Sequence, residues 1–188
     1  MKKNLLKLVS VLLCVVLCAA LLTACGEQAA PAATDPAEVT GETFDAGKVS
    51  ALVPNGWKAF PQHDVFSDDA NAMLPDVINI IKGGSSDTDM FTKPYIRFDF
   101  GDAEKTLYFT DKDFYDDVAD LEPITTGEHT WNGFSCTSLG YKMIILFCEE
   151  GDLQYQATIY TEQSNGKISL DDADVQAILA SVAPSAAS

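Results

Sequence analysis

The sequence predicts an α+β fold in which an antiparallel β-sheet is flanked by helices on both faces, as in an α/β/α sandwich. Three strand-like segments, residues 131–139, 143–148 and 153–161, are separated only by short glycine-containing turns, which is typical of an antiparallel meander. The middle segment, MIILFC, is apolar throughout, so we expect a central strand covered on both sides. Four apolar residues near the end of the chain recur at helical spacing and predict a final helix: Val175, Ile178, Leu179 and Val182.

Residues 1–24 have the pattern of a secretory signal peptide. Lysines at positions 2, 3 and 7 precede an apolar run over residues 8–24, and small residues end that run. The run is about the shortest that can cross a bilayer, so a retained transmembrane anchor is the alternative interpretation.

The segment Leu22-Thr23-Ala24-Cys25 resembles the bacterial lipobox, in which small residues precede the cleaved bond and a lipid is attached to the cysteine thiol. Cys14 and Cys18 each follow a leucine, where the lipobox requires a small residue, so Cys25 is the predicted lipidation site. Ordinary signal-peptide cleavage nearby is the alternative. The resemblance implies a lipoprotein whose acyl chains hold it to the extracytoplasmic face of the cell membrane, or in an outer membrane.

Composition divides the rest of the chain into a linker, one domain and a short tail. Residues 25–42 hold the lipidated cysteine and a stretch rich in alanine, proline, threonine and glutamate that cannot form a core, so we expect a flexible linker. Residues 43–183 are long enough for a single α+β domain with one core. Residues 184–188 are small and polar, and we expect a disordered tail.

The mature chain is strongly acidic. The full sequence has 12 basic and 28 acidic residues, and residues 1–24 contain three of the lysines and none of the acids, so a formal charge of −19 remains. Such a surface repels phosphate backbones and excludes nucleic acid as a partner. The membrane is therefore predicted to be a partner through the lipid on Cys25 and not through a basic patch. We interpret the acidity as a solubility feature, and attraction of cations or of a basic partner is the alternative.

Turn residues and short apolar runs predict the elements in the first part of the domain. Residues 43–53 have the pattern of two short strands around a glycine turn, and Pro54-Asn55-Gly56 is a turn before the predicted core residue Trp57. Residues 67–74 predict a short helix that Ser67 caps. The compact apolar run VINII, residues 77–81, is more typical of a buried strand than of a helix at that length.

Alternation and helical spacing predict the next elements. Residues 83–90 (GGSSDTDM) are typical of an exposed loop, and residues 95–100 alternate between apolar and polar side chains, as in a half-buried strand. Thr110 or Asp111 is expected to open a helix that Pro123 ends. Its apolar stripe consists of Phe114, Val118 and Leu121. The final helix is expected to be capped by Ser169.

Two of these segments together resemble the Mog1/PsbP-like fold family. One is the strand that runs into Pro54-Asn55-Gly56-Trp57, and the other is the final helix with the sequence Ile178-Leu179-Ala180-Ser181-Val182. The resemblance covers about residues 43–183 and implies an antiparallel sheet between helices. It also implies binding to proteins or assemblies without catalysis. The family shares no catalytic motif, so the resemblance assigns no functional residue.

Cys136 and Cys148 are the cysteines that remain in the domain. A hairpin centred near Lys142 would place them opposite each other, near disulfide distance, and an extracytoplasmic setting would preserve the bond. Two free, buried thiols are the alternative. We therefore predict a possible disulfide between Cys136 and Cys148.

Other residue types offer weaker chemistry. An Asp cluster at residues 111–117 and another at 87–89 could bind Ca²⁺, but the first lacks the glycine and distal glutamate of an EF-hand loop. His63 and His129 have no second zinc ligand at a useful spacing. No hydrolase motif or phosphate-binding loop occurs, so we predict no enzyme, no catalytic or metal-binding residues and no cofactor. Tyr95 and Tyr160 alternate away from the apolar face and could line a sugar or peptide platform.

These observations predict a lipid-anchored extracytoplasmic protein that acts as a non-catalytic binding or interaction module. A receptor for a small ligand or for a cation such as Ca²⁺ is the alternative, and a hydrolase is a weaker third. The sequence assigns no particular protein or ligand as the partner.

Overall fold

Twelve β-strands and one α-helix form the computed structural model over residues 35–186, the part of the chain that it describes. The strands are β1 (Gly41–Asp45), β2 (Val49–Pro54), β3 (Trp57–His63), β4 (Met73–Lys82), β5 (Tyr95–Gly101), β6 (Asp116–Asp120), β7 (Ile124–Thr126), β8 (His129–Ser138), β9 (Tyr141–Glu150), β10 (Leu153–Gln163), β11 (Gly166–Lys167) and β12 (Ala183–Pro184). The helix is α1 (Ala173–Ser181), and short 3₁₀ turns occupy Pro36–Glu38, Asp87–Phe91 and Lys112–Phe114.

Within residues 35–186 the strands form two sheets, and every pairing between strands is antiparallel. The large sheet has the order β3-β4-β5-β10-β9-β8-β6, with β11 beside β10 and β7 beside β8. The small sheet has the order β1-β2-β12. The predicted meander is confirmed, because β8, β9 and β10 follow one another in the chain and are neighbours in the large sheet.

One face of the large sheet, the covered face, packs against α1 and β2. Alternate side chains of the central strands enter this core, among them Phe98 of β5 and Tyr155 of β10, and both are almost fully buried. Trp131 of β8 lies in the same core. Helix α1 contributes Val175, Ile178 and Leu179, and β2 contributes Val49 and Ala51.

The prediction of helices on both faces of the sheet is wrong. The structure is mostly antiparallel β-sheet, and α1, the one α-helix among residues 35–186, packs on the covered face alone. On the second face, the apolar cluster of β8 and β9 is covered by side chains of a loop and not of a helix. A strand that is apolar on both faces therefore needed an apolar cover on each side, but that cover did not have to be helical.

The predicted helix over residues 110–121 is also wrong. Asp111 instead caps the 3₁₀ turn Lys112–Phe114, because its carboxylate accepts a hydrogen bond of 3.0 Å from the backbone N–H of Asp113. The chain then enters β6, and Phe114 and Val118, which were expected to face a core, are exposed. Residues 67–74 likewise form turns and the start of β4 in place of the predicted short helix.

Several other predicted elements are confirmed. β1 and β2 form a hairpin over residues 41–54, and Trp57 is buried and donates from Nε1 to Asp174 Oδ2 at 2.8 Å. The final helix forms with its apolar stripe inward, although its N-cap is Asp172 and not Ser169. No helix among residues 35–186 combines the length and the apolar character that a membrane crossing requires.

Candidate functional site

The second face of the large sheet divides into a covered half and an open half. Over β8 and β9, Phe109 packs against Phe147 with ring centroids 4.7 Å apart, and Tyr115 packs against Phe134 at 5.8 Å. Beneath these rings lies a small buried cluster that includes Cys136. Over β5 and β10 no such cover is present among residues 35–186, and a groove of about 520 Å³ opens there.

The groove has a polar floor because the polar residues of β5 and β10 lie at paired positions on the same face of the sheet. Arg97 and Asp99 point into it from β5, and Thr158 and Gln156 point into it from the paired positions of β10. The intervening residues of both strands face the core. The rim is apolar and exposed, since Phe91, Leu139 and Tyr141 surround the floor.

A bidentate ion pair lies at the centre of the floor. Arg97 donates from Nε and from Nη2 to the two carboxylate oxygens of Asp99, each at 2.8 Å, and from Nη1 to Gln62 Oε1 at 3.2 Å. Partial burial lowers the pKa of Arg97, but the hydrogen bonds and charge of Asp99 outweigh this effect and raise it overall. Arg97 therefore stays protonated, its formal charge is opposed by that of Asp99, and the floor still presents donors and acceptors.

Stacked tyrosines form one wall of the groove. The rings of Tyr95 and Tyr160 lie almost parallel, 4.3 Å apart, and Tyr141 meets Tyr160 edge-on at 6.3 Å. Burial, followed by the hydrogen bond with Tyr160, raises the pKa of Tyr95, so this phenol keeps its proton. The wall thus combines flat apolar surface with hydroxyl groups.

A second group of reactive side chains, here called the His129 cluster, consists of His129, Cys148 and Glu150. It lies at the edge of the core where β8 begins and β9 ends. His129 Nδ1 is 2.7 Å from Glu150 Oε1, and Cys148 Sγ donates to the same oxygen at 3.4 Å. Sγ and Nδ1 are 3.9 Å apart. His129 and Cys148 are buried, whereas the Glu150 side chain is 35% exposed.

Hydrogen-bond partners fix where the protons of the His129 cluster are. His129 Nε2 lies 2.7 Å from the carbonyl oxygen of Val182, which can only accept, so Nε2 carries a proton. Burial, together with the hydrogen bond to Glu150, raises the pKa of Cys148 to about 11, so Cys148 is a thiol at neutral pH.

The register predicted for Cys136 and Cys148 is wrong. The β8–β9 hairpin turns at Leu139 and Gly140, which both have positive φ, so Cys136 pairs with Met143. Cys148 faces the core and Cys136 faces the second side of the sheet, and both thiols are free. The geometric argument for a disulfide between them therefore does not hold.

The predicted acidic clusters are explained by local turn chemistry. Asp89 accepts hydrogen bonds from the backbone and hydroxyl of Ser85, from Lys93 and from the backbone of Ser86, and these bonds hold its pKa well below the ordinary value. Asp111 caps a 3₁₀ turn. His63 is exposed at the end of β3, away from the His129 cluster in the chain. Cys25 lies outside the residues that the structure describes.

Sequence reasoning missed the His129 cluster because its members come together only in the correct register. Asn132 pairs with Phe147, and three residues further the same register brings His129 level with Glu150. Cys148 and Glu150 are two apart on β9 and share a face. Placing the turn at Leu139-Gly140 would have been sufficient to find them.

Comparisons with known proteins add little to this geometry. No protein-family model and no curated protein matches the sequence. A solved structure from Bacteroides thetaiotaomicron VPI-5482 is similar over 77% of this chain and 48% of its own length, with 10% sequence identity and a TM-score of 0.43. A likeness of that size carries no argument about function.

The free thiols make a direct prediction. In the denatured protein without reductant, Cys136→Ser and Cys148→Ser should each lower the titrated thiol content by one, because each removes an independent thiol. If Cys136 and Cys148 formed a disulfide, the titrated thiol content would rise instead. Either replacement would then leave the other cysteine as a free thiol and raise the content by one. Thiol titration of the two variants beside the wild type distinguishes the two cases.

Proposed function

We propose that this chain is a lipid-anchored, extracytoplasmic binding protein that holds a ligand in the groove over β5 and β10, without catalysis. The observation that carries the proposal is the uneven cover of the second sheet face. Aromatic side chains close the half over β8 and β9, while the half over β5 and β10 stays open above an ordered polar floor. A concave surface with a few fixed polar groups and an apolar rim is typical of ligand sites.

The chemistry of the groove favours a neutral ligand with hydroxyl or amide groups and a flat apolar face. Arg97 and Asp99 neutralise each other, so the floor offers no charge to an ionic ligand. Arg97 uses three of its five N–H groups on Asp99 and Gln62, and two remain for a ligand. Tyr141 and Tyr160 present ring faces and edges on which a sugar ring or a planar peptide group can stack.

Lipid anchoring at Cys25 is the second part of the proposal. Its support is the lipobox-like segment Leu22-Thr23-Ala24-Cys25, together with a fold in which Cys25 precedes β1 in the chain. The strongly negative mature chain is consistent with attachment by acyl chains and not by a basic surface.

The ligand proposal is tested with paired tyrosine variants. The full mature chain in detergent is screened by thermal shift against neutral oligosaccharides and short neutral peptides, and Kd is measured for any compound that raises Tm. Tyr141→Ala removes one aromatic contact worth about 0.5–1.5 kcal/mol, so it should weaken binding roughly two- to tenfold.

Tyr108→Ala is the matched control, because Tyr108 is 94% exposed and does not line the groove. It should leave Kd unchanged. Equal loss in both variants, or no Tm increase with any compound of the panel, would contradict the proposed groove ligand.

The anchor is tested by metabolic labelling with an alkyne-tagged fatty acid in a bacterial host. The wild type and Cys18→Ala should incorporate the label, and Cys25→Ala should not, because only Cys25 follows the small residues of the lipobox. Label that persists in Cys25→Ala, or that is absent from the wild type, would rule out lipidation at this residue.

A further inference from the structure

The His129 cluster brings together three kinds of side chain that bind transition metals. His129 Nδ1, Cys148 Sγ and a carboxylate oxygen of Glu150 all lie within 4.8 Å of one another. Nitrogen, sulfur and oxygen donors in one set suit zinc, whereas Ca²⁺ and Mg²⁺ prefer oxygen alone. The cluster lies in the core on the covered face of the large sheet, on the other side of the sheet from the groove.

The hydrogen bond from His129 Nε2 to the carbonyl of Val182 orients the ring as in metal-binding histidines. Metal-binding histidines almost always donate their other ring N–H to a backbone carbonyl or a carboxylate, which fixes the tautomer and the ring orientation. His129 makes this bond to the carbonyl of Val182 at 2.7 Å. Nδ1 is therefore the ring nitrogen left to bind a metal, and it faces Cys148 and Glu150. Trp131 and Tyr155 pack against the ring and hold it in place.

The distances need only a small adjustment. Bond lengths of zinc to nitrogen, oxygen and sulfur place tetrahedral ligand atoms about 3.3–3.6 Å from one another. The separation of Sγ from Oε1 is 3.4 Å, and that of Sγ from Nδ1 is 3.9 Å. Nδ1 and Oε1, at 2.7 Å, must separate by about 0.6 Å. Glu150 can provide this movement, because its side chain is partly exposed.

We propose that His129, Cys148 and Glu150 form a Zn²⁺ site, with water as the fourth ligand on the exposed side of Glu150. Binding forms bonds from zinc to Nδ1, Sγ and a Glu150 oxygen. The Sγ–H bond breaks, and the thiol proton of Cys148 passes to the buffer as zinc binds.

Zinc at this position would also stabilise the fold. His129 begins β8, Cys148 and Glu150 end β9, and Val182 follows helix α1. A metal on Nδ1 holds the ring that donates to Val182 and so strengthens the link between the end of α1 and the large sheet. Because an ion that binds only the folded state raises stability, Tm should rise with Zn²⁺ concentration.

The test uses the full mature chain in detergent, freed of metal by a chelator, and titrated with Co²⁺ and then Zn²⁺. We expect one Co²⁺ per cluster with a thiolate-to-cobalt charge-transfer band, which Zn²⁺ abolishes by displacement. Cys148→Ser should lose the band. Cys136→Ser, which removes a buried thiol with no histidine in its cluster, should keep it.

Proton release provides a second, independent readout. Titration calorimetry with Zn²⁺ in buffers of different ionisation enthalpy should show proton release by the wild type, because Sγ of Cys148 binds zinc as a thiolate. Cys148→Ser has no thiol to ionise and should release fewer protons. No thiolate band in the wild type, a band that survives Cys148→Ser, or equal proton release by the wild type and Cys148→Ser would each overturn the proposal.

Discussion

The two-residue alternation of β5 and β10 is the constraint on which the rest of the structure depends. Tyr155, Ala157 and Ile159 of β10 face the core with α1 and β2, and the residues between them face the groove. Because β5 pairs with β10 residue by residue, its polar and apolar positions fall on the same two faces. One register therefore defines both the core and the floor of the proposed ligand site.

Most of the strands could be predicted from the sequence, since alternation and turn residues are local signals. The sequence could not distinguish the helix expected over residues 110–121 from the 3₁₀ turn and the strand β6 that form there. Phe114 and Val118 have helical spacing, yet neither is buried, and the capping carboxylate of Asp111 stabilises a short turn as well as it would a helix start. The cover of the second face is likewise a tertiary feature, supplied by Phe109 and Tyr115 from a loop without periodic pattern.

The two proposed sites differ in how visible they are from the sequence. Tyr95 and Tyr160 could be assigned to the groove face by parity alone. The His129 cluster depends on one turn: a hairpin centred near Lys142 separates its members, whereas the turn at Leu139-Gly140 aligns His129 with Glu150. Leucine is an uncommon residue at positive φ, so the sequence favours a turn nearer to Lys142 than the one that forms. The open groove and the cluster in the core belong to opposite faces of one sheet, so ligand binding and metal binding can be tested separately.

Two aspartate substitutions at adjacent positions of β10 test the division of the sheet into these faces most directly. Ala157 is fully buried in the core, so Ala157→Asp places an unpaired carboxylate there, at a cost of several kcal/mol. Thr158 is partly exposed on the groove face opposite Arg97, so Thr158→Asp should change the free energy of unfolding by no more than about 1 kcal/mol. Chemical denaturation followed by circular dichroism should show Ala157→Asp unfolded or severely destabilised and Thr158→Asp close to the wild type. Equal destabilisation by the two, or greater loss from Thr158→Asp, would contradict the account.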